Sequence, residues 1–259
     1  RLKADPYAFY ARQLLKLAAL DPVDADPSAA WRGTAVHAIL EAWAKADDFA
    51  PDQLVSRARA LLADQRTHPM MRALWQPRLL EAIGFIAREI DAMADQGRHV
   101  IAVERSGEIT LAGVTLKGKA DRIDRLADGT IGIVDYKTGK APSPSVVRAG
   151  YSLQLGLLGL IAERGGFPGI TGTAGAFDYW SLAKHGDAFG KITSPVDPEG
   201  KRGKIVTGEF TALAAATFAD AAGRWLTGDE PFTAKLHPEY APYAEYDQLM
   251  RLDEWYGRG

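Results

Sequence analysis

The chain has 259 residues, 47% of them hydrophobic and 25% charged, which suits one large globular domain or two small ones. Its formal net charge of −2 gives no bulk electrostatic attraction for nucleic acid, so an anionic substrate would need a local basic patch or a metal ion. The absence of cysteine excludes disulfide bonds, thiolate zinc sites, iron–sulfur clusters and a cysteine nucleophile.

The first hundred residues show helical patterns. Asp5 as an N-cap and Pro6 in the first turn start a helix over residues 5–20. Its expected apolar face consists of Tyr7, Tyr10, Leu14, Leu15 and Leu17. A polar loop over residues 21–28 follows, and the pattern then predicts helices over about 29–46, 51–65 and 70–96.

Strand patterns begin after these helices. The sequence predicts strands over residues 100–109, 111–124 and 130–136, with Gly113 at or near a turn. Ser145 is predicted to cap a helix that runs to about Glu163. Later elements are strands over 173–182 and 204–210, a mobile segment over 183–203, a helix over 211–226 and an irregular tail. This order predicts an α+β domain with a helical N-terminal part.

No repeat or break in composition marks a domain boundary. We therefore expect a single domain over 1–259, with a helical part over about 1–97, a catalytic α/β core over about 98–226 and a tail over 227–259. The chain starts at Arg1 without methionine, and we expect it to be a fragment of a longer protein. It shows neither a membrane-spanning apolar run nor a signal peptide, so we expect a cytoplasmic location and no membrane partner.

Acidic residues on two predicted strands carry the strongest chemical signal. Asp121 lies on one strand and Asp135 on the next, with an Asp-Gly turn signal at residues 128–129 between them. Because side chains alternate along a strand, Asp135 and Lys137 point the same way. Two carboxylates and one ammonium group on one patch of sheet suit a hard divalent cation and an activated water. The alternative is a surface hairpin whose charges are only solvated.

A histidine on the second predicted helix can complete this site. Small residues surround His37 and let its helix pack closely against a sheet. A neutral imidazole facing two carboxylates would make a three-ligand metal site. The alternative is a structural or exposed histidine. Glu41 lies one turn further on and either contacts these ligands or is only solvated.

A glutamine follows in the apolar run after the hairpin. Gln154 would be costly to bury without a partner, so we expect it to face a polar cleft from inside the predicted helix. Tyr151 lies one turn before it.

Four motifs occur in a specific order: Gly-x-x-x-His at 33–37, Gly-Lys-Ala-Asp-Arg-Ile-Asp at 118–124, Val-Asp-Tyr-Lys-Thr-Gly at 134–139 and Gln-Leu at 154–155. This pattern resembles the RecB-like branch of the PD-(D/E)XK nuclease superfamily, and most of all the C-terminal nuclease domain of AddB subunits of AddAB helicase–nucleases. Residues 5–12 and the tail over 243–256 look similar as well.

The resemblance implies a restriction-endonuclease-like core, a mixed sheet flanked by helices. It implies that the metal ligands are His37, Asp121, Asp135 and the main-chain carbonyl of Tyr136. Lys137 would then be the catalytic lysine and Gln154 the motif glutamine. The implied cation is Mg²⁺, for which Mn²⁺ can substitute, and Ca²⁺ can bind. Both one-metal and two-metal mechanisms stay open.

Two features depart from the family. Leu158 stands where relatives often have a tyrosine four residues after the glutamine, which puts the DNA contacts of that tyrosine in doubt. Many relatives also carry four cysteines for an iron–sulfur cluster, and this chain has none. Its terminal segments must then be held by packing alone, for which the candidates are Tyr7, Phe9, Tyr10, Trp255 and Tyr256.

The resemblance implies a Mg²⁺-dependent DNA nuclease, expected to be an exonuclease, in a helicase–nuclease that repairs double-strand breaks. DNA and a helicase–nuclease partner subunit are the expected partners. The alternatives are a catalytically silent domain that binds DNA or that partner, a hydrolase of another phosphate ester, and a structural scaffold. The chain has no GxxxxGK[ST] loop, so it is not the motor itself.

Basic residues near the motifs are candidates for DNA contact. Together with Tyr151, they are Lys119, Arg122, Lys140 and Arg148. Ordinary surface ion pairs are the alternative for each of the cations. A second basic stretch, from Lys184 to Lys204, either holds a DNA strand or is a solvated loop.

Overall fold

A five-stranded mixed sheet forms the centre of the computed structural model, which describes residues 2–18, 28–63, 69–185, 188–241, 246–251 and 254. Its strands are β1 (His99–Leu111), β2 (Val114–Arg125), β3 (Ile131–Lys137), β4 (Ala174–His185) and β5 (Ala188–Thr193), in that spatial order. β3 and β4 are parallel, and the other neighbouring strands are antiparallel. Two further short strands, β6 (Val196–Asp197) and β7 (Ile205–Val206), pair with each other.

Helices flank this sheet. In chain order they are α1 (Pro6–Gln13), α2 (Ser28–Ala46), α3 (Pro51–Ala63), α4 (Pro69–Ala94), α5 (Pro144–Arg148), α6 (Gln154–Glu163), α7 (Phe210–Ala221) and α8 (Asp247–Met250). A π-helical turn, Ala222–Leu226, extends α7. The mixed sheet, its flanking helices and the helical N-terminal part confirm the predicted α+β, restriction-endonuclease-like fold.

Two apolar cores cover the two faces of the sheet. On one face, Ile123 and Ile133 pack with residues of α6 and α7. On the other face, Val134 and Trp180 pack with residues of α2, α3 and α4. Because successive strand residues point to opposite faces, β3 contributes to both cores, and each of its residues except Lys137 is buried. β3 is therefore not part of a solvated surface hairpin.

The turn of the β1–β2 hairpin contains Gly113, as predicted. Ala112 and Gly113 occupy the turn with φ of 50° and 76°, and Leu111 pairs with Val114 across it. Positive φ at both central residues is the geometry of a two-residue hairpin turn that matches the twist of the strands. This turn fixes which residues of β1 and β2 lie opposite each other.

The first helix is shorter than predicted. Asp5 does cap it, accepting a hydrogen bond from the amide of Ala8 at 3.0 Å. The helix ends at Gln13, and Lys16 lies in the left-handed region with φ 56°. The predicted apolar face is therefore wrong in its second half, where three leucines are 40–51% exposed: Leu14, Leu15 and Leu17. Most of the predicted loop over 21–28 lies outside the described residues.

The predicted helix from Ser145 to Glu163 is also wrong, because two helices replace it. Ser143, rather than Ser145, caps α5, accepting from the amide of Val146 at 3.4 Å. The chain then passes through Gly150, with φ 83°, before α6 begins. Gln154 is consequently the first residue of α6 and not a residue inside a helix.

The region between the last long strand and the last long helix is more ordered than predicted. Residues 188–193 of the predicted mobile segment form the edge strand β5. The predicted strand over 204–210 is reduced to β7, since a 3₁₀ turn follows over Thr207–Glu209.

The two terminal segments of the described chain pack against each other. The rings of Tyr10 and Phe232 lie 5.1 Å apart between centroids. The amide of Tyr7 donates to the carbonyl of Thr233 at 3.3 Å. Tyr10 thus contributes to terminal packing as expected, while residues 255 and 256 lie outside the described part.

In the part of the chain that the structure describes, no helix has both the length and the apolar character to cross a membrane.

Candidate metal centre and active site

Neighbouring strands β2 and β3 carry the two predicted acids. The amide of Tyr136 on β3 donates to Asp121 Oδ2 on β2 at 2.9 Å, which ties the two strands together at the site. Asp135 and Lys137 share one face of β3, and Lys137 Nζ lies 2.7 Å from Asp135 Oδ2. The structure thus brings both carboxylates and the lysine to one end of the strand pair.

His37 reaches this group from α2. Its Nδ1 lies 4.0 Å from Asp121 Oδ1, and its side chain is 34% exposed. Hydrogen bonding of Nδ1 to Glu104 Oε1 at 2.6 Å orients the ring. The imidazole from the early helix therefore meets the strand acids.

Glu104 is a member of the site that the sequence interpretation missed. It lies on β1 between residues that pair with Arg122 and Ala120, so it is next to Asp121. Its side chain is only 6% exposed and also pairs with Lys119, whose Nζ is 2.7 Å from Glu104 Oε2. Its φ of 50° is unusual for a residue other than glycine, and such conformations cluster at functional sites.

Three of these side chains lie close enough together to hold one cation. One ligand atom each from His37, Glu104 and Asp121 falls within 4.8 Å of the others. Asp135 is not in this group, and its carboxylate pairs with Lys137 instead. It is near enough that its charge raises the pKa of both His37 and Asp121.

The electrostatics of the site favour a positive charge. Burial, together with the nearby Asp135 carboxylate, raises the pKa of Asp121 from 3.8 to about 6. Burial also raises the pKa of Asp135, against the effect of Lys137. The hydrogen bond to Glu104 raises the pKa of His37. Burial works to raise the pKa of Glu104, but hydrogen bonds from His37 and Lys119 hold it below its ordinary value.

These residues fit a hard divalent cation. Asp135 Oδ2 is buried, and among the described residues it accepts no well-aligned hydrogen bond, although Lys137 Nζ is near. A cation between the acids and the imidazole would relieve the crowding of buried negative charge. Carboxylate oxygens with one imidazole are donors that Mg²⁺ or Mn²⁺ accepts.

Gln154 lies beside the lysine. As the first residue of α6 it is exposed, and its Oε1 accepts from Lys137 Nζ at 3.3 Å. Lys137 is thus held between Asp135 and Gln154. Glu41, by contrast, pairs with Lys45 at 2.6 Å on the exposed side of α2.

Arg122 does not reach the surface, so the expected DNA contact is not open to it. Its side chain is 1% exposed and lies on the face of the sheet covered by α2–α4. It pairs with Asp124 at 2.8 Å and donates to the hydroxyl of Tyr136 at 2.9 Å. Its guanidinium carbon lies 4.0 Å from the ring centroid of Trp180. The strand alternation that turns Asp121 towards the site turns Arg122 away from it.

The remaining candidates for DNA contact differ in their exposure and in their partners. Lys140 and Arg148 are exposed on the loop after β3 and on α5. Lys119 is partly exposed but paired with Glu104. Tyr151 stacks on Tyr240, with ring centroids 3.8 Å apart. Its ring is therefore engaged by the tail of the chain.

Comparison with known sequences gives a consistent family and several distant relatives. A sequence model of the PD-(D/E)XK nuclease superfamily matches residues 1–244. An uncharacterised protein of Rickettsia bellii (strain RML369-C) is 28% identical over 173 residues, which cover 63% of this chain and 21% of that protein. A protein of Streptococcus equi subsp. zooepidemicus (strain H70), named as a subunit of an ATP-dependent helicase/deoxyribonuclease, is 30% identical over 139 residues, covering 51% of this chain and 13% of that protein. The matched region therefore spans about a fifth or less of the length of these relatives.

Proposed function

The chain belongs to the PD-(D/E)XK nuclease superfamily, and we propose that it hydrolyses phosphodiester bonds in DNA with the help of Mg²⁺. One observation carries this proposal: His37, Asp121 and the Asp135–Lys137 pair meet at one end of β2 and β3. A domain that only bound DNA would not need buried acids, an imidazole and a lysine at the same place.

Each residue has a role that follows from its position. His37, Glu104 and Asp121 would hold the cation, with Asp135 and the carbonyl of Tyr136 as further ligands. When bound, Mg²⁺ lowers the pKa of a water molecule and offsets charge that builds on the phosphate in the transition state. Lys137 orients the attacking water or contacts the phosphate, and Gln154 holds the Lys137 ammonium in place. Mn²⁺ would substitute for Mg²⁺, and Ca²⁺ would bind.

The biological setting is part of the proposal. We place the chain in a helicase–nuclease that processes double-strand breaks, because a relative is named as part of an ATP-dependent helicase/deoxyribonuclease. The motor would come from another part of the longer protein or from a partner subunit, since residues 1–259 carry no GxxxxGK[ST] loop. Residues 1–259 would form one nuclease domain of a longer protein, acting as an exonuclease.

A catalytically silent domain that binds DNA or a partner subunit is the second candidate. The observation in its favour is that Asp135 stands outside the group of ligand atoms within 4.8 Å of one another, and pairs with Lys137 instead. Such a domain would bind DNA and would not cut it.

Cleavage assays separate these candidates. Labelled single-stranded and linear double-stranded DNA are incubated with the chain in Mg²⁺, in Mn²⁺ and in EDTA. The nuclease proposal predicts cleavage in both metals and none in EDTA. Replacing Lys137 by Ala should lower the cleavage rate by roughly 10²- to 10⁴-fold, the usual contribution of a positioned proton-transfer group. The same variant should still bind the cation in calorimetry, because Lys137 is not among the proposed ligands. DNA binding without cleavage under any of these conditions would support the silent domain.

A further inference from the structure

We propose that a basic surface around α5 binds the phosphate backbone of DNA on one side of the cut, outside the catalytic centre. We call it the α5 surface and define it by four cations from three separate segments of the chain: Lys140, Arg148, Arg202 and Lys204. The inference rests on the proposed nuclease function and adds a binding surface for DNA beyond the phosphate that is cut. Its contacts are with charge, so they do not depend on base sequence.

The loop that carries α5 begins and ends at the candidate active site. Residues 138–153 join Lys137 at the end of β3 to Gln154 at the start of α6, and Lys137 Nζ donates to Gln154 Oε1 at 3.3 Å, so the two ends of the loop are in contact. Val147 of α5 is buried in the core on the α6 face of the sheet, together with Ile133. Lys137 points to that same face, because it lies four residues after Ile133 on β3. The loop and the catalytic groups therefore share one face of the sheet.

The length of chain limits how far the cations of this loop can lie from the site. A stretch of n residues spans at most about 3.6 Å × n. Lys140 is three residues from Lys137, so their Cα atoms are at most about 11 Å apart. Arg148 is six residues from Gln154, so their Cα atoms are at most about 22 Å apart. Because DNA rises about 3.4 Å per nucleotide, both cations lie within about seven nucleotides of the cut.

The turn between β6 and β7 brings further cations to α5. Val196 and Ile205, at the two ends of this turn, are buried in the same core as α5 and α6. Asp197 Oδ1 accepts hydrogen bonds at 3.0 and 3.2 Å from two main-chain amides of the turn, which hold its shape. Cα atoms of the 3₁₀ turn Lys201–Gly203 lie within 8 Å of Cα atoms of α5. The turn is therefore anchored beside α5, and its cations add to those of the loop.

The α5 surface carries positive charge that the chain does not neutralise. The sequence has no acid between Asp135 and Glu163. Lys140, Arg148 and Arg202 are exposed. Among the residues that the structure describes, none of these three side chains has an ion pair or a hydrogen bond. Their charge is thus available to an anion from outside the chain.

Two acids lie on the turn between β6 and β7. Glu199 forms an ion pair with Lys201. Hydrogen bonds from the amides of Glu199 and Lys201, and then the charges of Lys201 and Lys204, hold the pKa of Asp197 below its usual value. Lys204 is therefore partly offset by Asp197, whereas Arg202 is not, and the tests below use the arginines.

The arrangement of these cations suits a nucleic-acid backbone. The net charge of −2 gives the whole chain no attraction for DNA, so the attraction must come from a local surface. Guanidinium groups hold phosphate through pairs of N–H donors. Phosphates repeat along DNA, so they can be contacted one at a time by cations on neighbouring segments. The α5 surface meets this requirement on the face of the sheet that carries the catalytic groups.

The first test measures binding without catalysis. A fluorescein-labelled DNA duplex with a single-stranded tail is titrated with the chain in EDTA, and anisotropy is recorded at several salt concentrations. Replacing Arg148 and Arg202 together by Met should weaken binding at least about fivefold at low salt, because phosphate contacts supply most of the affinity. The slope of log K against log salt should fall by about 0.7–0.9 for each phosphate contact that is removed.

A second pair of arginines provides the matched control. Arg59 and Arg88 are exposed on α3 and α4, the helices that cover the other face of the sheet, and both are replaced by Met. Replacing Arg148 and Arg202 by Lys keeps their charge, so it should restore the slope. Equal affinity and equal slopes in the Arg148 and Arg202 Met variant and in the control overturn the proposal.

The second test separates binding from chemistry. Cleavage of the same DNA in Mg²⁺ is measured over a range of DNA concentrations. In the variant with Arg148 and Arg202 replaced by Met, KM should rise by at least about fivefold while kcat stays within about twofold, because contacts away from the reacting phosphate bind the ground state and the transition state equally. The control with Arg59 and Arg88 replaced should change neither constant. An unchanged KM in the first variant overturns the proposal, whatever happens to kcat.

The two proposals fail in different ways. Absence of cleavage by the unmodified chain in both Mg²⁺ and Mn²⁺ removes the nuclease function, and the α5 surface is then judged by the binding test in EDTA alone. Cleavage by the unmodified chain, with equal DNA affinity and equal KM in the variant and the control, removes the α5 surface and leaves the nuclease function in place.

Discussion

Glu104 and His37 share one proton. Their 2.6 Å contact requires a hydrogen between nitrogen and oxygen, and the same space lies beside Asp121. A divalent cation bound there would replace that proton, with all three side chains turned towards it. Glu104 therefore affects both the orientation of His37 and the charge that the cation meets.

Replacing Glu104 by Gln tests this role. The variant keeps the shape of the side chain and removes its charge. We expect Mn²⁺ affinity in calorimetry to fall at least about 10-fold, because losing a charged ligand costs no less than losing a partner of a ligand, for which the range is about 10- to 100-fold. Glu108→Gln on the same strand is the control, since Glu108 is exposed and pairs with Lys117. Equal Mn²⁺ affinity in both variants would limit Glu104 to a structural contact with His37.

The buried acid Asp121 makes stability depend on pH. Its pKa is raised from 3.8 to about 6 in the folded chain, so the folded state binds more protons than the unfolded state between these values. In EDTA, the free energy of unfolding should therefore fall as pH rises from 4 to 6, by an Asp121 contribution on the order of 1–3 kcal/mol. Mg²⁺ competes with the proton, so its stabilising effect should grow as pH passes 6.

Urea unfolding at pH 4, 5 and 6 checks the sign of this effect. Asp121→Asn cannot lose a proton, so its free energy of unfolding should decline less over this range than that of the unmodified chain. Identical pH profiles for the two chains would mean that Asp121 is not held in a raised-pKa environment.

At the scale of strands, β2 serves two different sets of contacts. Asp121 faces the candidate site, whereas Arg122 and Asp124 are buried on the other side with Tyr136. Arg98 joins the same buried network through Asp124 at 2.7 Å. This network lies directly behind the acids and fixes the spacing of β2 and β3. Removing one member of a buried network of charges is strongly destabilising, because the remaining charges stay buried with fewer partners.

Arg122→Ala should therefore lower the free energy of unfolding by about 3–5 kcal/mol, the range for breaking a buried ion pair. Arg125→Ala on the same strand is the matched control. Its guanidinium donates to the carbonyl of Gly129 on the exposed side, so its removal should cost about 1 kcal/mol. Chemical denaturation of both variants makes the comparison. If Arg122→Ala changes the free energy of unfolding only slightly and weakens DNA binding, Arg122 has the surface role that was expected from the sequence.

The strands show which features of the site could be predicted from the sequence. The acids, the lysine and the hairpin turn could be predicted because each depends on local residue types and on alternation along a strand. Glu104 could also have been found: a turn at Ala112 and Gly113 pairs Leu111 with Val114, and counting outwards from that turn places Glu104 opposite Asp121. The buried position of Arg122 could not be found by alternation alone, because it depends on which helices cover each face.

At the scale of the whole molecule, the two terminal segments of the described chain pack against each other. Tyr10 packs on Phe232, the amide of His237 donates to Ala4 at 3.1 Å, and Tyr246 donates its hydroxyl hydrogen to the carbonyl of Leu17 at 2.7 Å. These contacts join residues more than two hundred positions apart. They close the fold without any covalent link, as the absence of cysteine requires.

Replacing Phe232 by Ala should weaken the contacts between the two terminal segments before it affects the sheet. We expect faster hydrogen exchange at the amides of Tyr7 and His237, whose acceptors lie in the opposite terminal segment. Amides in β2 and β3 should exchange as before, because the sheet has its own two cores. Phe218→Ala, which removes the same ring from α7, is the control. Uniformly faster exchange in the sheet as well would mean that the terminal segments are part of one cooperative core.

Terminal packing and the break between α5 and α6 could not be predicted in detail from the sequence. Both depend on long-range contacts: Tyr151 stacks on Tyr240, and Lys3 donates to the carbonyl of Ala149 at 2.9 Å. Leu158, at the position where relatives often have a tyrosine, is 4% exposed in the core. Local propensity predicts that the helices form, whereas tertiary contacts determine the residues at which they end.

Diffraction from crystals soaked in Mn²⁺ is the decisive check on the proposed metal centre, since the anomalous signal locates the ion without any assumption about activity. We predict one strong peak within about 2.5 Å of His37 and Asp121 oxygen or nitrogen atoms, with Asp135 or Glu104 completing the ligands. A well-occupied ion elsewhere, with these side chains still paired among themselves, would contradict the assignment of these residues as ligands.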